Sequence, residues 1–570
     1  MATVTPLSPA QVLVLIFKAC LIVVVLLLGR GLYWLLHLVV LAPPFDPLRH
    51  LPGPEGKAFQ NHFREVMDPN KSVNSHEQWT KSFGKTFRFH GFGKHDYRLM
   101  SLDARALSHI LNSPIYEKPW QTRRFLGRLL GRGIFAMEGD EHRSLRKFIA
   151  PAFSTRSIRG LTPIFLQKAE ELRDRWDLLL PVVSPSRPLS PYEPKDVHDG
   201  QSAVIDVLNW LSRATFDIIG IAGFDYQFNS LEDETEEVYL AYRKMFDAAD
   251  RAPGFKGLAQ IFFPIIEKIF PDETSRITTA SLKTVTAAGK TLIENKKALI
   301  LAEKASGQAP KEKSIISLLI NANVSEDPSQ RLSDEHLLDQ LSTFLFAGSD
   351  STAVGMAWCI HHLSLNPDVQ SRLRKEILRL HEISSEAVSE DRHDFADSVD
   401  ALPYLDAVVR EALRLSPPAH GAIRVATQND VIPLSEPIVM KDGSVATEVN
   451  IRKGSFVHIP IEGVNLSSSI WGEDSLKFNP DRWIEGQTPT HPGLANLMTF
   501  SFGPHSCPGW KFAIFETKLI LAVLLPHFVF SPAEEIKKYN AILTRPYVYN
   551  KYELGPQLPV RVGRYQAESK

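Results

Sequence analysis

The chain has 570 residues, 44% of them hydrophobic, and its 64 basic and 65 acidic residues leave a formal charge of −1. That length can bury a large core, and the balanced charge offers no basic excess to a nucleic-acid partner. Three cysteines are an odd number, and Cys20 and Cys359 lie in apolar stretches, which argues against a disulfide framework and for a reducing, cytosol-facing compartment.

Val12 to Leu41 is almost wholly apolar, interrupted by Lys18 and by Arg30 between Gly29 and Gly31. A membrane span needs about 20 apolar residues. Thirty helical residues would reach about 45 Å, so the pattern predicts one tilted span whose cations snorkel to an interface rather than a hairpin of two short spans. A cleaved signal peptide is the competing reading, but the apolar region is too long and no small-residue cleavage site follows it. Pro43-Pro44-Phe45-Asp46-Pro47 and then Pro52-Gly53-Pro54 make the next segment stiff.

Further along, Gly139-Asp-Glu-His142-Arg-Ser-Leu-Arg146 places His142 and Arg146 four apart, on one face of a helix. Pro181 to Pro194 and Glu303 to Lys313 are rich in proline, serine or charge and are expected to be surface loops. Asn70, Asn323 and Asn465 stand in glycosylation sequons that a cytosol-facing domain leaves unmodified. A long helix is predicted from about Asp334 to Leu365: Ser333 suits its N-cap, Asp334 and Glu335 its first turn, and Asn366-Pro367 its end. Its centre reads Ala347-Gly348-Ser349-Asp350-Ser351-Thr352, where a glycine costs about 1 kcal/mol relative to alanine, so something other than helix stability favours Gly348. Ser351 and Thr352 can also return their hydroxyls to the helix carbonyls. The neighbours His361 and His362 cannot converge on one ligand.

A second helix is predicted within Leu402 to Leu415, before Pro417-Pro418 stops it, with Glu411 and Arg414 on one face. Such a pair is most often a solvated salt bridge; Phe478-Asn-Pro480-Asp-Arg482-Trp483 downstream gives it a second meaning, taken up below. Finally comes Phe500-Ser-Phe-Gly503-Pro-His505-Ser-Cys507-Pro-Gly509. A buried thiolate needs hydrogen-bond donors or positive charge around it. Gly503 and Gly509 are expected to allow backbone conformations closed to other residues, Phe500 to cover the sulfur, and a helix beginning near Pro508 to bring the positive end of its dipole beside it. The bland alternative for Cys507 is an ordinary buried thiol in a Gly/Pro loop.

The run Phe-x-x-Gly-x-x-x-Cys-x-Gly resembles the haem-binding loop of the cytochrome P-450 monooxygenases, with His505 where that family usually has arginine. The resemblance implies a mainly α fold with small β-sheets, preceded here by an N-terminal transmembrane helix, and haem b ligated through its iron by Cys507. Phe500, Gly503, His505 and Gly509 complete the loop. His142, Arg146 and Arg424 are implied to bind the haem propionates, and Glu411, Arg414 and Arg482 to lock the scaffold of the loop. Asp350 with Ser351 and Thr352 is implied to relay protons, Ser351 standing where threonine is more usual, while Gly348 opens a notch for dioxygen.

The resemblance further implies an NADPH-dependent reductase, with cytochrome b5 as a further electron donor, because this chain has no nucleotide-binding fingerprint of its own. An anchor (1–42), a hinge (43–54) resembling that of fungal membrane-bound members, and one catalytic domain (55–570) would then sit on the endoplasmic reticulum facing the cytosol. The substrate expected is an apolar small molecule, such as a terpenoid of fungal secondary metabolism, taken up by segments around Tyr116 to Phe125, Phe344 to Ala347, Ala419 to Ile423 and Tyr547. Two other classes fit part of this pattern: a haem-thiolate isomerase or dehydratase needing no reductase, and a non-catalytic haem-binding membrane protein.

Overall fold

Ser333 Oγ accepts a hydrogen bond from the His336 N–H at 3.2 Å and so starts the long helix where the sequence puts it. Asp334–Leu345 is α-helical, Phe346–Asp350 widens into a π segment, and Ser351–Leu365 returns to α-helix. Single π-turns of this kind collect at functional sites. Ser349 and Ser351 each donate to the carbonyl four residues back, at 2.6 and 2.7 Å.

Against this segment lies the helix Val207–Phe224, which is buried on nearly every face. Thr215 Oγ1 donates to the carbonyl of Ser349 at 3.0 Å. A Cβ on Gly348 would stand 2.6 Å from the Ile219 side chain. Gly348 is therefore required by the close approach of two helices, a reason that the sequence alone could not supply. Gly348→Ala is expected to destabilise the protein by about 1–3 kcal/mol through overpacking, outweighing the gain in helix propensity of about 1 kcal/mol. Thermal unfolding should show Gly348→Ala adding no further loss once Ile219→Ala has emptied that space.

The computed structural model describes residues 8–566 except 37–39, 42, 57–61, 92, 181–201, 251–254, 307–313, 324–332, 387–391, 487, 490–492 and 541. The loop expected at 181–194 and most of that at 303–313 lie outside the described residues. Around the central helix the helices Thr162–Leu179, Val207–Phe224, Pro403–Leu415 and Trp510–Leu524 enclose one large apolar core. A second core forms beneath a five-stranded sheet of order Thr86–His90, Tyr97–Ser101, Phe456–Ile459, Ala422–Ala426, Tyr116–Glu117. All neighbours in it are antiparallel except Tyr97–Ser101 with Phe456–Ile459. The hairpin Ile536–Asn540/Thr544–Val548 lies beside the central helix, where Trp358 Nε1 donates to the Thr544 carbonyl at 2.7 Å.

The apolar amino-terminal segment forms the helix Pro9–Leu36, and an 18-residue window within Pro9–Trp34 has a mean hydropathy of 3.1 with none of it buried against the rest of the chain. The Pro-rich segment after it makes two short 3₁₀ turns and packs onto the sheet: Leu48 and Leu51 are fully buried, and the Arg88 N–H donates to the Pro52 carbonyl at 2.9 Å.

Under the same sheet, His76 of the helix Pro69–Phe83 is 4% exposed, and neither ring nitrogen has a hydrogen-bond partner. Burial holds its pKa down at about 4, and that of His90 likewise. Each ring is neutral when folded but charges near pH 6.5 when unfolded. The stability these groups contribute is thus complete above about pH 6.5 and is lost as pH falls towards 4. His76→Leu is expected to leave the thermal midpoint at pH 7.5 nearly unchanged and to flatten its fall between pH 6.5 and 4.5.

Candidate active site

The loop before Cys507 is held in an unusual shape. Ala495, Asn496 and Ser501 all have positive φ, near 56°, 59° and 55°, a conformation costing on the order of 1–3 kcal/mol per residue unless its surroundings enforce it. Here the Leu494 N–H donates to the Ser501 carbonyl at 3.0 Å, the Ser501 N–H to Met498 at 2.8 Å, and the Cys507 N–H to Phe500 at 2.9 Å. Gly503 has φ +74°, and a Cβ there would stand 2.5 Å from the Leu111 carbonyl oxygen, so glycine is obligatory. Gly509 departs from expectation: its φ is −89°, open to any residue, and its part is to aim an N–H at the Cys507 sulfur. The Phe500 ring packs beside Trp510, 6.4 Å between centroids, and the following helix is Trp510–Leu524.

Burial pushes the Cys507 thiol up to about 11, against the smaller downward pulls of the Gly509 N–H and Arg146. Those two groups alone do not ionise the sulfur; a bound cation would, by displacing its proton. Among the described residues no three His, Cys, Asp or Glu side chains are arranged around one metal position. A lone thiol therefore suits a metal that arrives already ligated by a macrocycle.

The charges beside the loop suit the same group. Lys118 and Arg424 face the carboxylate of Glu138 while Arg146 stands beside Cys507, and three cations against one carboxylate leave two positive charges over, which matches the two propionates of a haem. Lys118 Nζ contacts Glu138 Oε1 at 2.6 Å and lies 3.4 Å from His505 Nδ1, while His505 Nε2 meets Glu138 Oε2 at 3.1 Å. Burial opposes ionisation of Glu138, but His505 and Lys118 together hold it down at about 2. Burial lowers His505, so its ring is neutral near pH 7; it donates from Nε2 to Glu138 and presents Nδ1 to Lys118. Where the family usually has an arginine, the positive charge nearest His505 is that of Lys118, which is paired with Glu138.

His142 stacks on His505 at 4.0 Å, with burial holding it neutral at about 3, and Arg146 Nη2 donates to Ser506 Oγ at 3.3 Å; both stand on the helix Gly139–Ile149. Arg424 is 7% exposed and gives one N–H to the neighbouring Ile423 carbonyl.

Behind the loop, Glu411 is fully buried and accepts five hydrogen bonds: Arg414 Nε and Nη2 at 2.8 Å each, Arg482 Nε at 3.0 Å, Trp483 Nε1 at 2.9 Å and the Asn479 N–H at 3.0 Å. Arg414 Nη1 continues to the carbonyls of Asn465 and Ser475 at 2.8 and 2.6 Å. The Asn465 amide holds the Met498 N–H at 3.1 Å and Thr499 Oγ1 at 2.8 Å, so the network ends on the segment that leads into the cysteine loop. Asn465 is wholly buried, and that sequon is closed to modification.

A family model for cytochrome P450 matches residues 51–549. The chain belongs to the cytochrome P450 family. It is 36% identical over 554 residues to cytochrome P450 monooxygenase 205 of Postia placenta, covering 93% of this chain and 96% of that one. It is 33% identical over 544 residues to cytochrome P450 monooxygenase claP of Ampulloclitocybe clavipes, covering 91% and 93%. The motif resemblance and the mainly α fold with small sheets thus stand, and the P450 family implies haem-thiolate iron.

On the other side of the P450's central helix, Ser351 is half-buried and donates to Ala347, Thr352 is buried, and Asp350 is 1% exposed. Asp350 does not face open space. Its carboxylate is taken in a two-pronged grip by Arg545, Nη1 to Oδ1 at 3.0 Å and Nη2 to Oδ2. Arg545, Lys118 and Glu138 contact the motif residues and were missed by the motifs. Lys118 stands within a segment expected to line the pocket, but Arg545 carried no signal. His362 stacks on Phe478 and bonds Ser416 Oγ at 2.9 Å, a structural place.

Proposed function

We propose that this P450 is a membrane-anchored monooxygenase that oxidises an apolar small molecule with dioxygen and electrons passed from NADPH through a separate reductase, cytochrome b5 serving as a further donor. The observation that carries the reading is a lone half-buried thiol, fixed by a strained loop, beside a site with two positive charges in excess. Haem b bound there would supply dioxygen activation, one oxygen atom entering the substrate and the other leaving as water. Cys507 would be the iron ligand, its charge held by the Gly509 N–H and Arg146, with Phe500 and Gly503 shaping the loop. Arg146, Arg424, Lys118 and His142 would hold the propionates, while Glu138 orients His505. Asp350, Ser351 and Thr352 would hold and move protons, each hydroxyl able both to donate and to accept.

For the substrate, Phe346 at the head of the π segment stacks on Phe246 at 4.6 Å and meets Phe135 at 6.1 Å within the apolar core, surroundings that suit apolar ligands such as terpenoids of fungal secondary metabolism. For the membrane, the apolar helix Pro9–Leu36 is joined by Phe263, Ile265, Ile269 and Phe270, all 58–65% exposed, and by Trp120 packed edge-on against Phe262. These support an anchor (1–42), a short connecting segment (43–54) and a catalytic domain (55–570) on the cytosolic face of the endoplasmic reticulum.

The test is a carbon monoxide difference spectrum of reduced microsomes, followed by NADPH consumption with a reductase and a panel of terpenoids. A red-shifted Soret band with substrate-stimulated NADPH use supports the reading. Turnover of an organic hydroperoxide without NADPH would move the protein to the isomerase and dehydratase class, and no NADPH use with any ligand would make it a binding protein.

A further inference from the structure

Pro417-Pro418-Ala419-His420-Gly421 joins the helix Pro403–Leu415 to the strand Ala422–Ala426 and carries part of the expected pocket lining, Ala419 to Ile423. Its two prolines have no N–H to donate, and the helix before it ends in carbonyls that have no partner within the helix. Donors from outside must therefore fix its course, and three converge on it. Lys538 Nζ donates to the Leu415 carbonyl at 2.6 Å, the Thr544 N–H to the Pro418 carbonyl at 2.7 Å, and the Glu462 N–H to the His420 carbonyl at 2.9 Å.

Two of these donors are also joined to each other. Lys538 Nζ meets Glu462 Oε1 at 3.1 Å, and Glu462, which is 1% exposed, accepts from Ser72 Oγ at 3.2 Å through its other oxygen. Asn70 Nδ2 donates to the Lys538 carbonyl at 3.1 Å, and the ammonium lies 5.9 Å from the Trp358 ring on the central helix. His76 and His420 stand on the other sides of Glu462, and burial keeps both rings neutral near pH 7. Among the described residues Lys538 is thus the cation paired with that carboxylate. Its charge also sits at the end of a helix, where a cation is favoured.

We propose that Lys538 is a positioning residue for the substrate pocket: its ammonium bridges the Leu415 carbonyl and Glu462 and so sets the course of Ala419 to Ile423, the wall that an apolar ligand meets. The inference rests on the reading of that segment as pocket lining. Lys538→Met would keep the packing but give up both bonds and leave Glu462 buried without a counter-charge. Combined with Glu462→Gln it removes the mismatch of charge, so that the lost tether is the difference that remains.

The test is ligand binding to the haem-loaded protein, read from Soret difference spectra with two probes that each bring an azole nitrogen to iron. Imidazole is too small to reach the wall, whereas the aryl rings of clotrimazole press on it. Lys538→Met with Glu462→Gln is expected to weaken clotrimazole about three- to tenfold, the size of a net hydrogen bond, and to leave imidazole unchanged. Lys538→Arg, which still donates to both partners, is expected to bind clotrimazole nearly as wild type. Ser72→Ala loosens Glu462 without touching Lys538; it should give a smaller change in the same direction and covers the case in which the double variant does not fold. Ala419→Leu is the control on the lining itself. If it weakens clotrimazole while every folded Lys538 and Ser72 variant binds both probes as wild type, Lys538 has a structural role only and the proposal falls. If Ala419→Leu leaves clotrimazole unchanged as well, the segment does not line the pocket, and that reading fails together with the proposal. Equal losses for imidazole and clotrimazole would place the damage at the haem rather than at the wall and would also overturn it.

Discussion

Cys507→Ser is expected to bring turnover to background and to erase the red-shifted carbon monoxide band, while the apo fold is retained. A serine hydroxyl ionises far less readily than a thiol and gives iron a weaker, harder ligand, so the anionic soft donor is lost. A loss of a thousandfold corresponds to about 4 kcal/mol in the barrier, which is small beside removal of the proposed iron ligand. The fold is expected to persist because the loop does not depend on the sulfur. Its shape comes from Gly503 against the Leu111 carbonyl, from the Cys507 N–H to Phe500 hydrogen bond and from the positive-φ residues before it. Urea unfolding of apo wild type and variant should therefore agree within about 1 kcal/mol, with no thiolate signature in the variant after haem reconstitution. A variant that unfolds outright would assign Cys507 a structural role instead.

What the sequence made legible was local. The cysteine loop, the Glu411–Arg414 spacing and the capped start of the helix at Ser333 are each written in a few neighbouring residues whose chemistry is short-range, and each appears where expected. The unread parts depend on residues far apart in the chain. Asp350 could be read as an acid on a helix, but its partner is 195 positions away on a strand with no motif of its own. His505 could be read as a substituted arginine, while the cation beside it is Lys118, 387 positions away. Gly348 signalled that something displaced a side chain; only packing shows that the something is Ile219. The π segment is invisible to periodicity because one extra residue per turn, for one turn, shifts the apolar pattern less than ordinary sequence variation does.

Glu411→Gln carries the largest expected effect on stability. On a solvated helix face, a Glu–Arg pair three residues apart is worth about 0.2–1 kcal/mol, and its loss would hardly be seen. Here both partners are fully buried and the carboxylate accepts five hydrogen bonds. Glutamine offers one acceptor oxygen, and its NH₂ group would point at N–H donors that it cannot satisfy. Arg414 and Arg482 would retain their carbonyl contacts and the half-exposed Asp474, at 2.8 Å from Arg482, but no buried counter-charge. Breaking one member of such a network costs about 3–5 kcal/mol, a large share of the 5–15 kcal/mol that holds a typical protein folded. The damage should reach the cofactor, because Arg414 is bonded to the Asn465 carbonyl and the Asn465 amide fixes Met498 and Thr499 ahead of the cysteine loop. Denaturant midpoints and the fraction of protein carrying haem should fall together. Glu411→Leu combined with Arg414→Met and Arg482→Met removes the charges as well as the acceptor and is expected to cost less than Glu411→Gln alone. A smaller loss from the single change would mean that the two arginines find enough compensation in the backbone carbonyls, and that the carboxylate is not what fixes the loop.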